Sequence, residues 1–366
     1  MSIILFIVIL LVLVIVHEFG HFITAKKSGI RVDEFGFGFP PKLFSKKLGE
    51  TTYSFNVIPF GGFVKIFGEN PDEESISGPD KDRSFVHKPK YIQAMVLFAG
   101  VFFNFLLAWL LLSLGFMSGL PTSQTSEPRG TILSNQNLVI TGVTPKAPAD
   151  LSGIKIGDKV ISISASDASL NTTELNPEAV QKFIGDRSGR PLEFSISRSG
   201  EIQNLEVIPK AGLLEGRAAI GVSLDTIGII KLPTHKALWR GLKDTSILTV
   251  RTAVSLGKLV KDSVLGQADF SAITGPVGIV GIVGDAYQFG FIYLISFAAL
   301  ISVNLAVINL IPFPALDGGR LLFLLIETIK GSPIKPKIAN ALNAVGFILL
   351  LLLMVVVTYH DIAKLL

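Results

Sequence analysis

Cysteine is absent from all 366 residues. That excludes disulfides, thiolate nucleophiles, iron–sulfur clusters and any cysteine-ligated zinc, and it leaves the compartment open. Charge is scarce too. Asp, Glu, Lys and Arg make up 17% of the chain against 49% hydrophobic residues, a balance that points away from a soluble domain and toward a membrane protein. The formal net charge of +4 is no argument for nucleic acid, because the basic residues form no continuous patch with interleaved aromatics. They flank apolar runs instead, so a lipid bilayer is the expected partner and nucleic acid is not.

What is present is long apolar sequence. One run begins at Ser2 and continues to about Ala25, a second covers Ala94 to Met117, a third runs from about Phe289 to Ile311, and a fourth from about Ala341 to Thr358. Each approaches or exceeds the roughly 18 to 20 residues a spanning helix needs. The first does not read as a signal peptide. No Lys or Arg precedes it, and His17, Glu18 and His21 stand where a small-residue cleavage site would be. Basic residues then set the orientation: Lys26, Lys27, Arg31, Lys42, Lys46, Lys47 and others lie between the first two spans, and Arg320, Lys330, Lys335 and Lys337 between the last two. The positive-inside rule puts both loops in the cytoplasm of a plasma-membrane protein, and both termini and the long middle segment outside.

The middle segment is not uniform. Short alternating runs at Leu138–Ile140, Val160–Ile163, Leu192–Ile196 and Leu205–Ile208, with turns at Gly157-Asp158 and Ser199-Gly200 and a helix starting at Pro177, predict a small β-rich domain. Val143 through Ile161 resembles the core signature of bacterial PDZ domains, which bind peptides by adding a strand to a sheet edge. A PDZ-shaped spacer with a closed groove is the alternative. From Lys236 to Leu265, apolar and basic residues alternate at helical spacing. That pattern fits an amphipathic helix on a membrane surface, or a helix packed on its own protein. The expected organisation is residues 1–117 as the first part of a membrane domain, 118–225 as the PDZ-like domain with its linkers, 226–288 as an amphipathic surface segment and 289–366 as the second part of the membrane domain. The expected fold is a polytopic α-helical membrane protein with four transmembrane helices, a membrane-associated β-hairpin and the inserted β-rich domain.

The chemistry concentrates in His17-Glu18-Phe19-Gly20-His21. On a helix, positions i and i+4 share a face, so both imidazoles can address one cation, with Glu18 beside them to take a proton from a metal-bound water. Three ionisable side chains at the end of a spanning helix cost about 2 to 3 kcal/mol each on insertion scales, which marks them as functional. Catalytic zinc takes three protein ligands. Asp317 is the candidate third, in Asn309-Leu310-Ile311-Pro312-Phe313-Pro314-Ala315-Leu316-Asp317-Gly318-Gly319, where two prolines break the third span and two glycines permit close approach to another element. The competing role for Asp317 is to cap the helix that follows.

These motifs resemble the site-2 protease family of intramembrane zinc metalloproteases, of the RseP type. Val16 through Phe22 is similar to the family's first-span motif and Asn309 through Gly319 to its NxxPxPxLDGG motif. Pro59 through Lys65 is similar to its glycine-bearing membrane hairpin, and Gly275 through Ile279 to a segment that precedes the third span. The resemblance covers nearly the whole chain. It implies Zn2+ as cofactor, His17, His21 and Asp317 as ligands and Glu18 as general base. It also implies contacts to the substrate backbone or oxyanion from Asn309, with Gly61 and Gly62 in the hairpin, although Asn309 also fits a helix–helix hydrogen bond. Two departures stand out: Val101 occupies a usual proline position, with Asn104 left in register, and the length admits one PDZ-like domain where many relatives carry two. The expected activity is cleavage of the transmembrane segments of single-span proteins, of the anti-sigma-factor or remnant-signal-peptide kind. A zinc-binding membrane transporter is the alternative, which Glu18 fits poorly. A catalytically silent PDZ scaffold is another, against which the intact set of His17, Glu18, His21 and Asp317 argues.

Overall fold

The structure is a computed structural model that describes residues 1–124, 133–198, 200–214, 217–267 and 274–365. By contacts it divides into two units, residues 1–114, 235–284 and 295–366 in one, and 115–234 with 285–294 in the other.

The first unit opens with helix α1 (Ser2–Lys27), whose 26 residues make a rod of about 39 Å, more than the roughly 30 Å of a hydrocarbon core. A paired segment follows, β1 (Val32–Leu48) with β2 (Thr51–Ile66). It is more than a simple hairpin. Glu34–Phe37 lie opposite Gly62–Lys65 on one side and opposite Thr52–Phe55 on the other, while Phe44–Leu48 pair with Thr51–Phe55. The run 62–65 therefore forms one edge and 44–48 the other. Phe22 of α1 seats the sheet by edge contacts with Phe35 and Tyr53 at centroid distances of 5.3 and 6.1 Å. A short helix α2 (Glu73–Ser77), capped by Asp72, leads to α3 (Lys90–Ser118). Gly20 brings α1 and α3 together: a Cβ there would stand 2.5 Å from the carbonyl oxygen of Ala99.

The second unit carries the β-rich domain. Its elements are β3 (Leu120–Ser123), β4 (Ser134–Val143), α4 (Pro148–Leu151), β5 (Lys159–Ser164), β6 (Ser169–Leu170), α5 (Pro177–Gly185), β7 (Leu192–Arg198), β8 (Glu201–Val207), β9 (Lys210–Leu214), β10 (Arg217–Ala219) and β11 (Val222–Ile230). The main sheet runs β3-β11-β4-β5-β7-β8. Leu138 and Ile140 of β4 and Phe194 and Ile196 of β7, two residues apart in each strand, share a core with Val160 and Ile163 of β5, which a register shift brings to the same face, and with Val180 and Ile184 of α5. Asn176 caps α5 by accepting from the Ala179 amide at 2.8 Å. The expected turn at Ser199 lies outside the described residues. The strand β11 extends to Ile230, past the boundary expected at residue 225.

The chain returns to the first unit with α6 (Thr234–Val264), followed by α7 (Pro276–Phe289), α8 (Phe291–Leu310), α9 (Asp317–Lys330) and α10 (Pro336–Leu365). The packed stripe of α6 is Ala237, Gly241, Thr245, Leu248, Thr252 and Leu256, at helical spacing. It docks on the protein's own spans. Trp109 of α3 donates its indole N–H to the Leu238 carbonyl at 2.8 Å, Thr252 donates to Asn304 of α8 at 3.2 Å, and Leu248 and Leu256 pack on Ala108, Leu112, Ala299 and Val303. Trp239, Val250 and Val254 remain exposed on its other side. At the far end of α10, buried Asp361 accepts from the Gly275 and Gly278 amides at 3.1 and 2.9 Å, and so caps α7. Among the described residues, α1, α3, α8 and α10 are long and apolar enough to cross a membrane.

Candidate active site

The helical spacing of the first span does what it predicts. His17 and His21 lie one turn apart on α1, both buried, with ring centroids 4.8 Å apart and planes at 80°. From the start of α9 Asp317 reaches both, its Oδ2 lying 3.1 Å from His17 Nε2 and 3.3 Å from His21 Nε2, while the two Nε2 atoms are 3.2 Å apart. Ligand atoms held about 2.05 Å from a zinc ion at tetrahedral angles stand about 3.3 Å from one another. The three observed separations fit that triangle. Asp317 Oδ2 is buried and has no hydrogen-bond partner, a costly state for a carboxylate that a bound cation removes.

The backs of the rings are held as well. His21 donates its Nδ1–H to the Val96 carbonyl at 2.8 Å, which leaves the Nε2 lone pair for a metal. His17 Nδ1 lies 3.3 Å from the side-chain amide of Asn104, whose Oδ1 is buried without a partner. Exchanging the oxygen and nitrogen of that amide, an assignment and not an observation, gives the oxygen the His17 Nδ1–H and again frees Nε2. Asn104 is therefore a site residue. Its signals in the sequence are a lone amide on an apolar span and its register with the family pattern beside Val101.

Gly100 is a site residue to which the sequence alone gave no role. A Cβ there would lie 2.3 Å from His21 Nε2 and 2.7 Å from His17 Nε2, so α3 supplies a bare backbone wall behind the ligand atoms. Glu18 is half-buried, with His21, His17, Asp317 and Arg320 as its ionisable neighbours. Gly62 lets the sheet edge reach it: a Cβ there would stand 3.2 Å from Glu18 Cγ and 3.1 Å from Val14 Cγ1. Gly61 has φ of 94°, which glycine adopts without strain.

The chain belongs to peptidase family M50. That family's sequence profile matches residues 5–353. The chain is 31% identical to the zinc metalloprotease RasP of Geobacillus kaustophilus, over 99% of this chain and 98% of the relative. It is 36% identical to a putative zinc metalloprotease of Clostridium perfringens, over 96% of this chain and 95% of the relative, and 29% identical to the RasP of Oceanobacillus iheyensis, over 100% and 99%. As an M50 peptidase it is a zinc metalloprotease of the site-2 type.

The remaining residues of the second motif are placed as follows within this M50 site. Gly318 lets α9 approach the end of α8, where an added Cβ would stand 2.3 Å from the Leu310 and Ile311 oxygens, and Gly319 approaches the loop between them, 2.2 Å from the Phe313 oxygen. Asp317 is the first residue of α9, Leu316 occupies the cap position, and no hydrogen bond joins the Asp317 carboxylate to the helix backbone. Asn309, at the end of α8, is half-buried and makes no side-chain hydrogen bond to His17, Glu18, His21 or Asp317.

Proposed function

We propose that this zinc metalloprotease hydrolyses peptide bonds within the transmembrane segments of single-span membrane proteins, with His17, His21 and Asp317 holding the metal and Glu18 acting as general base. The observation that carries the ligand assignment is the tetrahedral spacing of the three ligand atoms at the end of an apolar helix. Zinc held there supplies Lewis acidity to a scissile carbonyl and acidity to a coordinated water. Glu18, next to His17 on α1, takes the proton of the attacking water and delivers it to the departing amine. Asn309, whose amide is free of site contacts, provides a donor for the substrate backbone or the oxyanion.

A helical substrate must be unwound before its peptide bonds are accessible, and the sheet offers the means. The run 62–65 pairs with β1 on one side only, and Gly62 lies against Glu18. An extended substrate adding to that edge as a strand, across Gly61 and Gly62, comes within reach of the base. The substrates are of the anti-sigma-factor or remnant-signal-peptide kind.

The charge asymmetry of the loops supports a plasma-membrane orientation with both termini and the PDZ-like domain outside and the active site toward the cytoplasm. The cysteine-free chain makes this simple to check. Ser45→Cys is expected to be shielded from an impermeant thiol reagent added outside, and Asn171→Cys to react with it. The reverse pattern sinks the assigned orientation.

The β-rich domain limits which substrates reach the site and takes no part in the chemistry. Its removal can be made clean, since Leu120 pairs directly with Ile230, which places the excised ends about 5 Å apart. Replacing residues 120–230 with a short Gly/Ser linker is expected to leave cleavage of a short transmembrane substrate within a few-fold of wild type, and to add cleavage of full-length precursors that the intact enzyme ignores. Loss of all cleavage, with zinc content and insertion normal, makes the domain a required docking site and ends the filter reading.

A further inference from the structure

Asp317 reaches the histidines from a loop with little to hold its shape from within. Between Leu310 and Asp317 the chain leaves α8, and Pro312 and Pro314 have no backbone N–H to donate. Ala315 stands at φ 76°, in the left-handed region that residues with a Cβ avoid. Strained backbone of this kind persists where its surroundings over-determine it. Bonds within the loop are few, the Phe313 amide to the Ile311 oxygen at 2.7 Å and the Leu316 amide to the Phe313 oxygen at 3.2 Å.

The fourth span supplies the tie from outside. Asn343 of α10 accepts the Ala315 N–H on its Oδ1 at 3.1 Å, so it holds the amide of the one residue in the loop whose conformation is strained. Three residues further, on the same face of α10, Gly346 lets the helix approach so closely that a Cβ there would stand 2.4 Å from the Pro314 oxygen. Asn343 stands near the N-terminal end of α10, after Lys337 and Asn340, and this hydrogen bond gives its side-chain oxygen a partner.

We infer that Asn343 is a positioning residue for the third metal ligand. Fixing Ala315 in the left-handed region sets the direction in which the chain leaves the loop, and Asp317 follows two residues later. The inference rests on Asp317 being a ligand. Its physical content is that α10, which contributes no ligand, sets metal affinity through one backbone amide.

The test uses the full chain purified in detergent, with zinc affinity measured by competition against a chromophoric chelator and ligand geometry read from the visible spectrum of bound cobalt. Asn343→Ala is expected to weaken zinc binding at least about tenfold, as loss of an outer partner of a ligand does, and to change the cobalt spectrum. Adding Ala315→Gly to that variant is expected to restore both to near wild type, because glycine takes the positive φ unaided. Restoration distinguishes positioning from general packing, which Ala315→Gly does not repair. The inference is overturned by an Asn343→Ala protein with unchanged affinity and spectrum, or by a loss that Ala315→Gly fails to restore. Should Asn343→Ala not insert, Asn343→Gln, whose oxygen sits one methylene further out, carries the same reading. Asp317→Ala runs alongside. If it retains zinc, the ligand assignment itself has failed. If it loses zinc while Asn343→Ala does not, only the positioning role has.

Discussion

Glu18→Gln is expected to lower cleavage of a transmembrane substrate by about 10³-fold while the purified protein keeps about one zinc per chain. Gln has the shape of Glu and fits the same space beside Gly62, since the Glu18 atom that lies closest to that glycine is Cγ, which the substitution keeps. What it lacks is a basic oxygen, so the proton of the attacking water has nowhere to go. The ligands are untouched, and metal and activity therefore separate. Replacing His17 or His21 by Ala is expected to lose both together. Comparing membrane fragments from cells carrying wild type and Glu18→Gln also identifies substrates, because uncut precursors accumulate only in the second. A Glu18→Gln protein within tenfold of wild type removes Glu18 from the mechanism and leaves the proton of the attacking water to another group.

Gly100→Ala is expected to empty the metal site, although Gly100 is neither a ligand nor a base. Its new methyl would lie 2.3 Å from His21 Nε2 and 2.7 Å from His17 Nε2, both well inside van der Waals contact. Neither neighbour can yield at low cost. His21 is tied back to the Val96 carbonyl, and α1 and α3 are already at backbone contact where Gly20 meets Ala99. The rings must swing away from Asp317, and zinc content is expected to fall from about one per chain to near zero. Gly257→Ala is the matched control: a Cβ on that α6 residue meets nothing within 4 Å, and the change should favour the helix by about 1 kcal/mol. Full zinc in Gly100→Ala would show that the helices separate more readily than their contacts indicate.

The parts of this molecule legible in its sequence are those governed by period and by rare residues. Apolar runs give the spans, closely in α8, expected from about Phe289 and found from Phe291, and less closely in α10, expected from about Ala341 to Thr358 and found from Pro336 to Leu365. Period-two alternation gives β7 and β8, which each bury one face, while β4 and β5 are legible as short apolar runs between turns. The His17 and His21 pair is readable because helical spacing alone puts the rings together. Asp317 is readable because a carboxylate between a proline-broken span and two glycines has few other uses. Pairwise geometry across distant elements is what stays hidden. Nothing in the pattern of β1 and β2 says that Glu34–Phe37 pair on both sides, nor that Gly100 rather than another small residue of α3 faces the imidazoles. Asn104 stands out as polar in an apolar span, yet its partner His17, like the partner Ala315 of Asn343, is set by packing. The same holds for α6, whose pattern suits a membrane surface and its own protein equally well until Thr252 is seen on Asn304.

Gly20, Gly62 and Gly100 have in common that each meets the surroundings of the site with no side chain. Atoms can be added at these positions and none can be taken away. Mutation there runs in one direction, toward crowding, and no smaller residue exists with which to compensate elsewhere on the same backbone. Variation in this chain therefore has to proceed at positions that carry side chains, while the walls around the metal stay fixed.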